Sequence, residues 1–424
     1  MKLIKKILLL AALTTNPLYS LTANESQEPL FYKLIKNNQF LIFGFIRFDS
    51  FWANRQYVTS GDKVDFNYPK EPVCDANCRD INNQGLFGFS PRTSRLYIQT
   101  QNIPLKSAVL ASNLETDFEG KWGALRIRKA YFKIDWDTFS LLIGQQDHPL
   151  YGQCPDDVIS FESGAPVTFF SRDPQIRFSI YYKKLNINLI AYAELDDSSA
   201  GPFGISHEYM SNSLTPGFDI NIELETESFT GGIICDIKRL KPRLSTTTSP
   251  PYITEETITS IIGSAYGMYF WNNFTIKSHL GLGQNGTSFS TLGGYAPYCF
   301  NKITGREKYS NINFINWWMG IDYKIGKHVN PGVYIGFAKN LGSSRSDLYI
   351  DPKTDEPIFY GLDADLAKIL KIYPRIIFTY KQLEFAIEGN WARTWFGKMN
   401  QKGKNPITSA INFFRFLFVS KYNF

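Results

Sequence analysis

Along most of this chain apolar residues recur at every second position, and that period limits what it can fold into. In residues 174–183, Ile176, Phe178, Ile180 and Tyr182 share one parity; Gln175, Arg177, Ser179 and Lys183 share the other, together with Tyr181. Residues 185–195 set Leu185, Ile187, Leu189, Ala191, Ala193 and Leu195 against Asn186, Asn188 and Glu194. Residues 217–226 oppose Phe218, Ile220, Ile222 and Leu224 to Asp219, Asn221, Glu223 and Glu225. Residues 382–393 oppose Leu383, Phe385, Ile387 and Trp391 to Gln382, Glu384, Glu388 and Asn390. A helix would scatter these residues around its axis, whereas a strand puts them on two faces.

The same test predicts strands near 40–52, 92–101, 107–119, 123–136, 138–146, 174–183, 185–195, 217–226, 228–239, 257–271, 273–283, 313–325, 329–339, 373–381, 382–393 and 411–424, sixteen in all. The segment 257–271 is the least regular, and Pro331 interrupts 329–339 near its start. The connections alternate in length. Short ones fall at 102–106, 136–138, 183–185, 226–228, 271–273, 325–327 and the 380–381 corner. Long ones occupy 53–91, 147–173, 196–216, 240–256, 284–312, 340–372 and 394–410. Only 120–122 is short where a long one is due. Tight turns on one rim and long loops on the other are the pattern of an all-β transmembrane antiparallel barrel, with short periplasmic turns and long extracellular loops. An even strand count leaves both chain ends on the short-turn rim.

Composition agrees with a wall that meets lipid on one side and water on the other. Aromatics are 16% of the 424 residues, with 34 Phe and 24 Tyr, yet mean hydropathy is only −0.21. Residues 1–23 read as an export signal: Lys2, Lys5 and Lys6 precede the apolar run Ile7 to Leu13, with cleavage after Ser20 or Ala23. The rival reading, a membrane anchor, meets a run too short to span a bilayer. Residues 24–39 are a short periplasmic lead-in with a helical turn expected around Phe31 to Ile35, and 40–424 form the barrel. Removing the signal takes away three lysines and no acid, so the net charge falls from +6 to +3, too mild for a nucleic-acid partner. Of five cysteines, Cys74 and Cys78 are spaced for a local disulfide in an oxidising compartment, or for half a metal site that lacks a nearby His or second pair. Sequence leaves Cys154, Cys235 and Cys299 unassigned.

The chain ends in Phe424, with Tyr422, Phe418, Phe416 and Phe414 on its parity. This ending resembles the signal read by the barrel-assembly machinery, although Val419 stands where that pattern usually has Gly. Residues 92–182 carry, in order, Arg95-Leu-Tyr-Ile-Gln-Thr, Leu114-Glu-Thr-Asp-Phe-Glu-Gly, Leu125-Arg-Ile-Arg-Lys-Ala-Tyr, Leu142-Ile-Gly-Gln-Gln and Arg172-Asp-Pro-Gln-Ile-Arg. This stretch, about a quarter of the chain, resembles the DcaP-like family of trimeric porins. The resemblance implies a porin channel in the outer membrane, surrounded by lipid and assembled as a homotrimer. Members commonly carry an N-terminal coiled coil, and no heptad pattern is present here.

No catalytic signature, metal motif or cofactor motif appears: G-x-S-x-G, H-E-x-x-H and a P-loop lysine are all missing, and the four histidines are far apart in sequence. The informative residues are charges on the inward parity. Arg47, Arg95, Arg126, Arg128 and Arg177 are expected to line the lumen, where guanidinium groups attract and steer anions. Glu115, Asp117 and Glu119 point inward from the strand between the Arg95 strand and the Arg126–Arg128 strand. The expectation is partial pairing across strands, with some Arg charge left facing the pore. The segment 147–173 is the candidate constriction loop, offering His148, Asp156, Asp157, Glu162, Arg172 and Asp173. Acids on such a loop facing Arg on the wall would set a transverse field; a solvated external loop is the alternative. The function expected is passive passage of small hydrophilic solutes, with a mild preference for anions such as carboxylates. A plugged structural or adhesive barrel and an outer-membrane hydrolase are the competing readings.

Overall fold

The computed structural model describes residues 37, 39–59, 66–160 and 162–424. The export signal, and nearly all of the lead-in with its expected helical turn, lie outside the described residues. Sixteen strands build the wall: β1 (Phe40–Ala53), β2 (Arg95–Leu105), β3 (Ala108–Asp117), β4 (Arg126–Asp135), β5 (Phe139–Asp147), β6 (Arg172–Tyr182), β7 (Leu185–Tyr192), β8 (Gly217–Glu225), β9 (Phe229–Leu240), β10 (Ile258–Trp271), β11 (Phe274–Gln284), β12 (Glu307–Tyr323), β13 (Val329–Ser343), β14 (Leu366–Tyr380), β15 (Leu383–Phe396) and β16 (Ser409–Asn423). Each pairs antiparallel with its chain neighbours, and β1 pairs with β16 from Phe45↔Asn423 to Ala53↔Arg415, which closes the ring. At the seam the Gly44 N–H donates to Phe424 O at 3.0 Å and the Phe424 N–H donates to Gly44 O at 2.9 Å. A Cβ on Gly44 would lie 2.3 Å from Arg95 O of β2, so the close approach of β1 to β2 needs glycine there.

The alternation sorts the wall as the periodicity predicts. Phe218, Ile220, Ile222 and Leu224 are exposed on the outer face of β8, while Asp219, Asn221 and Glu223 are buried inside. Phe414, Phe416 and Phe418 do the same on β16. The wall is uneven in height. Strands β2–β8 have 8–11 residues, whereas β12–β16 have 14–17. No described helix is long and apolar enough to cross a membrane.

Several boundaries differ from the sequence reading. Asn102, placed there in a turn, sits inside β2 with φ +53°, at a bulge where the register shifts between Thr100 and Ile103. The turn is instead made by residues 106–107. Strands β12 and β14 start earlier than expected, at Glu307 and Leu366, because several of their inward residues, among them Ile312, Phe314, Leu366 and Ile369, are apolar and weaken the alternation. The same cause makes β10 irregular in sequence: Ile258, Ile262 and Tyr266 face inward and are buried, while Ile261 faces out. In the first long loop, Leu86–Ser90 adds a short strand beside the upper part of β1.

The expected Cys74–Cys78 disulfide is not formed; both thiols are free and exposed. That loop is held by polar contacts instead. The Asp75 carboxylate accepts from the Asn77 and Arg79 N–H groups at 2.8 Å each, and Cys74 bridges Asp80 in the backbone. Cys154, Cys235 and Cys299 are also free thiols.

The outer face makes a direct prediction. Ile222→Arg, halfway along β8, should lower stability by about 2–4 kcal/mol in reversible unfolding from lipid vesicles, the cost of a cation at bilayer mid-depth. An unchanged midpoint would mean that this face does not meet hydrocarbon.

Candidate functional site: the charged inner wall and the loops folded into the lumen

The inner face of β2–β4 carries a ladder of alternating charge. Antiparallel register places Arg95 beside Asp117 and Asp117 beside Arg126. Arg95 Nη1 donates to Glu115 Oε1 at 3.0 Å. Arg128 donates to Glu115 Oε1 and to Asp117 Oδ2, both at 2.8 Å, and is 1% exposed. Arg126 binds Asp117 through two nitrogens and also reaches Glu119. Arg47 holds Asp49 within its own strand. Four of the five sequence-nominated arginines are therefore ion-paired, more completely than the partial pairing expected. Two parallel N–H bonds to one carboxylate, as between Arg126 and Asp117, make a stiff contact that Lys would not reproduce.

Arg177 is different. Its guanidinium donates to Gln175 Oε1 at 2.8 Å and to the Asp147 carbonyl at 3.1 Å, both neutral acceptors. It lines a cavity of about 210 Å³ together with Lys133, Ser179, Asn186, Asn188 and Glu223.

The long segment between β5 and β6 enters the barrel. It begins with a single helical turn, Pro149–Gly152, whose N-cap is His148. Val167, Phe169 and Phe170 are buried, the first two packed with Ile262, Phe314, Trp318 and Tyr334 of the opposite wall. Polar contacts tie the loop around the ring. The Ile159 N–H donates to Glu388 Oε2 at 2.8 Å, Arg47 donates to Ile159 O at 3.0 Å, and Thr291 donates to Pro166 O. Asp157 pairs with Lys277 of β11 at 2.6 Å and lies 3.9 Å from Arg375 of β14. Glu162 lies in the field of Arg126, Arg128 and Arg172 on the low wall. The loop's acids are thus divided between two sides of the lumen. Asp156 is half-buried beside Gly164, and Asp173 lies in β6, accepting from Ser171 at 2.6 Å. Arg172 is buried over the Phe170 ring, 5.0 Å from its centroid.

Burial raises the loop carboxyls. Glu119, also facing the charge of Glu162 and Asp117, is pushed up to about 7. Glu162 and Asp156 likewise reach about 7, and Asp197 about 6, against the pull of neighbouring cations.

Two anchors were not found from sequence. Lys371 is fully buried on β14 and donates to three backbone carbonyls: Phe66 of the first long loop, and Ser163 and Ala165 of the loop between β5 and β6, the Ser163 contact at 2.7 Å. Three carbonyls match the three donors of an ammonium group, the condition for burying one. The alternation predicts the start of this strand at 373, which leaves Lys371 in the predicted loop 340–372. The second anchor is Glu388, buried on β15, which also accepts from Asn390 at 2.7 Å. Its inward parity was legible, but its partner across the lumen was not.

His148, Asp219 and Asp236 form the cluster of metal-ligand type found among the described residues, with ligand atoms within 4.8 Å of one another. Nε2 of His148 lies 3.7 Å from Asp236 Oδ2 and 4.0 Å from Asp219 Oδ2. Its Nδ1 accepts the Leu150 N–H at 3.3 Å, so in the neutral ring Nε2 carries the proton. That tautomer directs a donor, not a lone pair, at the carboxylates. Burial together with the charges of Arg177 and Lys238 holds the imidazole well below its ordinary value. At these distances Nε2 makes no hydrogen bond to either carboxylate, so the three side chains are close neighbours but not bonded to one another.

Lys371→Met should release both loops, since it removes all three donors and leaves buried carbonyls unsatisfied at about 1–3 kcal/mol. Limited proteolysis should then cut residues 54–94 and 148–171 faster than in the parent protein. Identical cleavage would show that the loops are held elsewhere.

No protein-family profile and no curated protein matches this sequence. Solved structures do match by fold. The outer membrane channel DcaP of Acinetobacter baumannii superposes with TM-score 0.66 at 16% identity, covering 91% of this chain and 97% of that one. The trimer form of OmpT, an outer membrane protein of Vibrio cholerae, gives 0.55 at 10% identity, covering 91% and 99%. An anion-selective porin from Comamonas acidovorans gives 0.52 at 8%, also covering 91% and 99%. The chain therefore has the sixteen-stranded porin fold, shared with the DcaP channel.

Proposed function

We propose that this chain is an outer-membrane porin: a passive, water-filled channel for small hydrophilic solutes with a mild preference for anions such as carboxylates, exported by its N-terminal signal and working as a homotrimer. One observation carries the reading. The wall is a closed ring of sixteen strands with apolar side chains outside and, on β2–β4 and β8 above all, charged or amide side chains inside, and a barrel of this size encloses an aqueous lumen where one of eight strands does not. Structural neighbours include an anion-selective porin and a trimeric assembly, which supports the finer parts of the proposal. The anion preference is assigned to Arg177, whose charge meets a polar cavity without a carboxylate bonded to it; the paired arginines of β2–β4 serve mainly to stiffen the wall. The C-terminal Tyr422 and Phe424, exposed on the outer face, are assigned to recognition by the barrel-assembly machinery.

A second reading rests on the packed interior. Residues from four long loops, among them Tyr68, Phe169, Tyr209 and Phe289, join one apolar cluster inside the ring. A barrel so filled could act as a closed surface protein. Planar-bilayer recording separates the two. Stepwise openings in groups of three are expected for the channel, whereas silence at all voltages would favour the closed barrel. Within the first reading, Arg177→Gln should move the reversal potential in a salt gradient toward cations, with conductance retained. No movement would remove Arg177 from selectivity.

The raised carboxyls give a pH dependence. Glu119, Glu162 and Asp156 at about 7 and Asp197 at about 6 are charged at high pH and take up protons as the pH falls through these values. The lumen thereby loses negative charge, so anion preference should increase as the pH falls from the range above 7 to the range below 6. Because these folded values lie above the unfolded ones, the folded state should also gain stability over that fall. Reversal potentials that are flat across the range would contradict both the burial and the lumenal position of these groups.

A further inference from the structure

On the outer face of the tall wall, charge appears where apolar side chains are the rule. Tyr334 and Ala338 of β13 face the lumen and are buried, so Lys339 points outward, following Ile335 and Phe337. On β14, Ile369 and Lys371 point inward, and Lys368 points outward with Leu370 and Ile372 below it. Lys339 and Lys368 are direct cross-strand partners. Like charges in that position repel. Lys404, from the loop between β15 and β16, joins them around an open pocket of about 330 Å³ whose other lining residues include Asn340, Leu341 and Asn405. No carboxylate lines this pocket, and among the described residues none of the three lysines makes an ion pair. Lys368 and Arg393 both lie against the ring of Trp395, at 4.5 and 5.2 Å from its centroid.

The height of the cluster is informative. Along β13 and β14, the pair Lys339↔Lys368 stands ten residues above the pair Val329↔Phe378 at the short-turn rim. Ten residues are roughly 33 Å of strand, or about 25 Å along the barrel axis at a tilt of about 40°, the height of the apolar band of an outer-membrane barrel. The lysines therefore sit at the upper edge of the lipid-facing band, on the long-loop side. Trp395 beside them and the aliphatic lysine stems suit an interface between hydrocarbon and water. A ligand placed here meets cations and amides at its head and Leu370, Ile372, Ile335 and Phe337 below.

We propose that Lys339, Lys368 and Lys404 bind the phosphate head of an anionic lipid in the outer leaflet, with its acyl chains lying along the outer face of β13 and β14. Lipid phosphate offsets the lysine repulsion that no side chain of the pocket offsets, and the apolar residues below call for a ligand with chains. The site rests on the barrel lying in the outer membrane with its long loops outward, but not on the pore being open.

Native mass spectrometry of the full mature protein in non-ionic detergent tests this, with diphosphoryl lipid A, the same lipid stripped of phosphate, and inorganic phosphate as probes. The parent protein should retain diphosphoryl lipid A. The Lys339→Gln/Lys368→Gln/Lys404→Gln variant should retain it about tenfold less or weaker still, and the stripped lipid should bind the parent no better than diphosphoryl lipid A binds the variant. Equal retention by parent and variant overturns the proposal, as does equal binding of the stripped lipid. Displacement by inorganic phosphate at concentrations matching the lipid would overturn the lipid as occupant. Lys324→Gln/Lys327→Gln, at the opposite rim, should leave retention unchanged; an equal loss there would reduce the effect to net charge and also overturn the site. If the triple variant does not fold, Lys404→Gln alone, in a loop, should still weaken retention, and no change would overturn the proposal. Conductance recorded on the same preparations keeps failure of this site distinct from failure of the channel reading.

Discussion

Backbone hydrogen bonding in a solvent that offers none is the constraint from which the rest of this structure follows. Within hydrocarbon every strand edge must be paired, so the sheet has to close. Here closure is made by β1 against β16, and the chain's last residue takes part, with Phe424 and Gly44 exchanging N–H and carbonyl bonds. Once the ring is closed, side-chain direction becomes binary: each residue meets lipid or the lumen. The outer face then accepts only apolar and aromatic groups over most of its height, and chemical variety is confined to the interior and the long-loop rim.

The interior is not uniform. Around β2–β4 the inward residues are arginines and acids that satisfy one another. Around β10–β14 they are Ile262, Phe314, Trp318, Tyr334 and Tyr373, which would be costly to leave against water. The loop between β5 and β6 covers this second surface with Val167 and Phe169, and its polar segments reach anchors on several strands. The loop's position is therefore determined by which part of the wall is apolar. On the other side a cavity remains beside Arg177, Ser179 and the β7 amides Asn186 and Asn188.

This division also explains what could be read in the sequence and what could not. Strands with one polar face, such as β6, β7, β8 and β15, alternate plainly, and their positions follow from periodicity alone. Strands β10, β12 and β14 carry apolar residues on both faces because one meets lipid and the other meets a folded-in loop. Their alternation is weaker, and their predicted starts are irregular or late. The inward parity of Arg95, Arg126, Arg128 and the acids Glu115, Asp117 and Glu119 was legible from two-residue spacing. Their pairing was not, since it depends on cross-strand register, and the bulges in β2 and between Glu115 and Thr116 shift that register by amounts periodicity does not reveal. Contacts across the lumen, such as Lys371 with Ser163 and Ile159 with Glu388, join residues more than two hundred positions apart and leave no local trace.

The two surfaces of the wall treat positive charge in opposite ways. Inside β2–β4, each arginine that points inward is matched by a carboxylate one strand away, so fixed charge is largely cancelled. Outside β13 and β14, Lys339 and Lys368 are placed opposite each other with no acid between them. A protein can neutralise an inward charge with its own residues because the lumen is built from them. At the outer edge of the apolar band the wall offers no such partner, and a carboxylate placed there to balance a lysine would itself need solvation. Cations at that edge are stable where the surrounding medium supplies the anion, which is the condition the proposed lipid phosphate would meet.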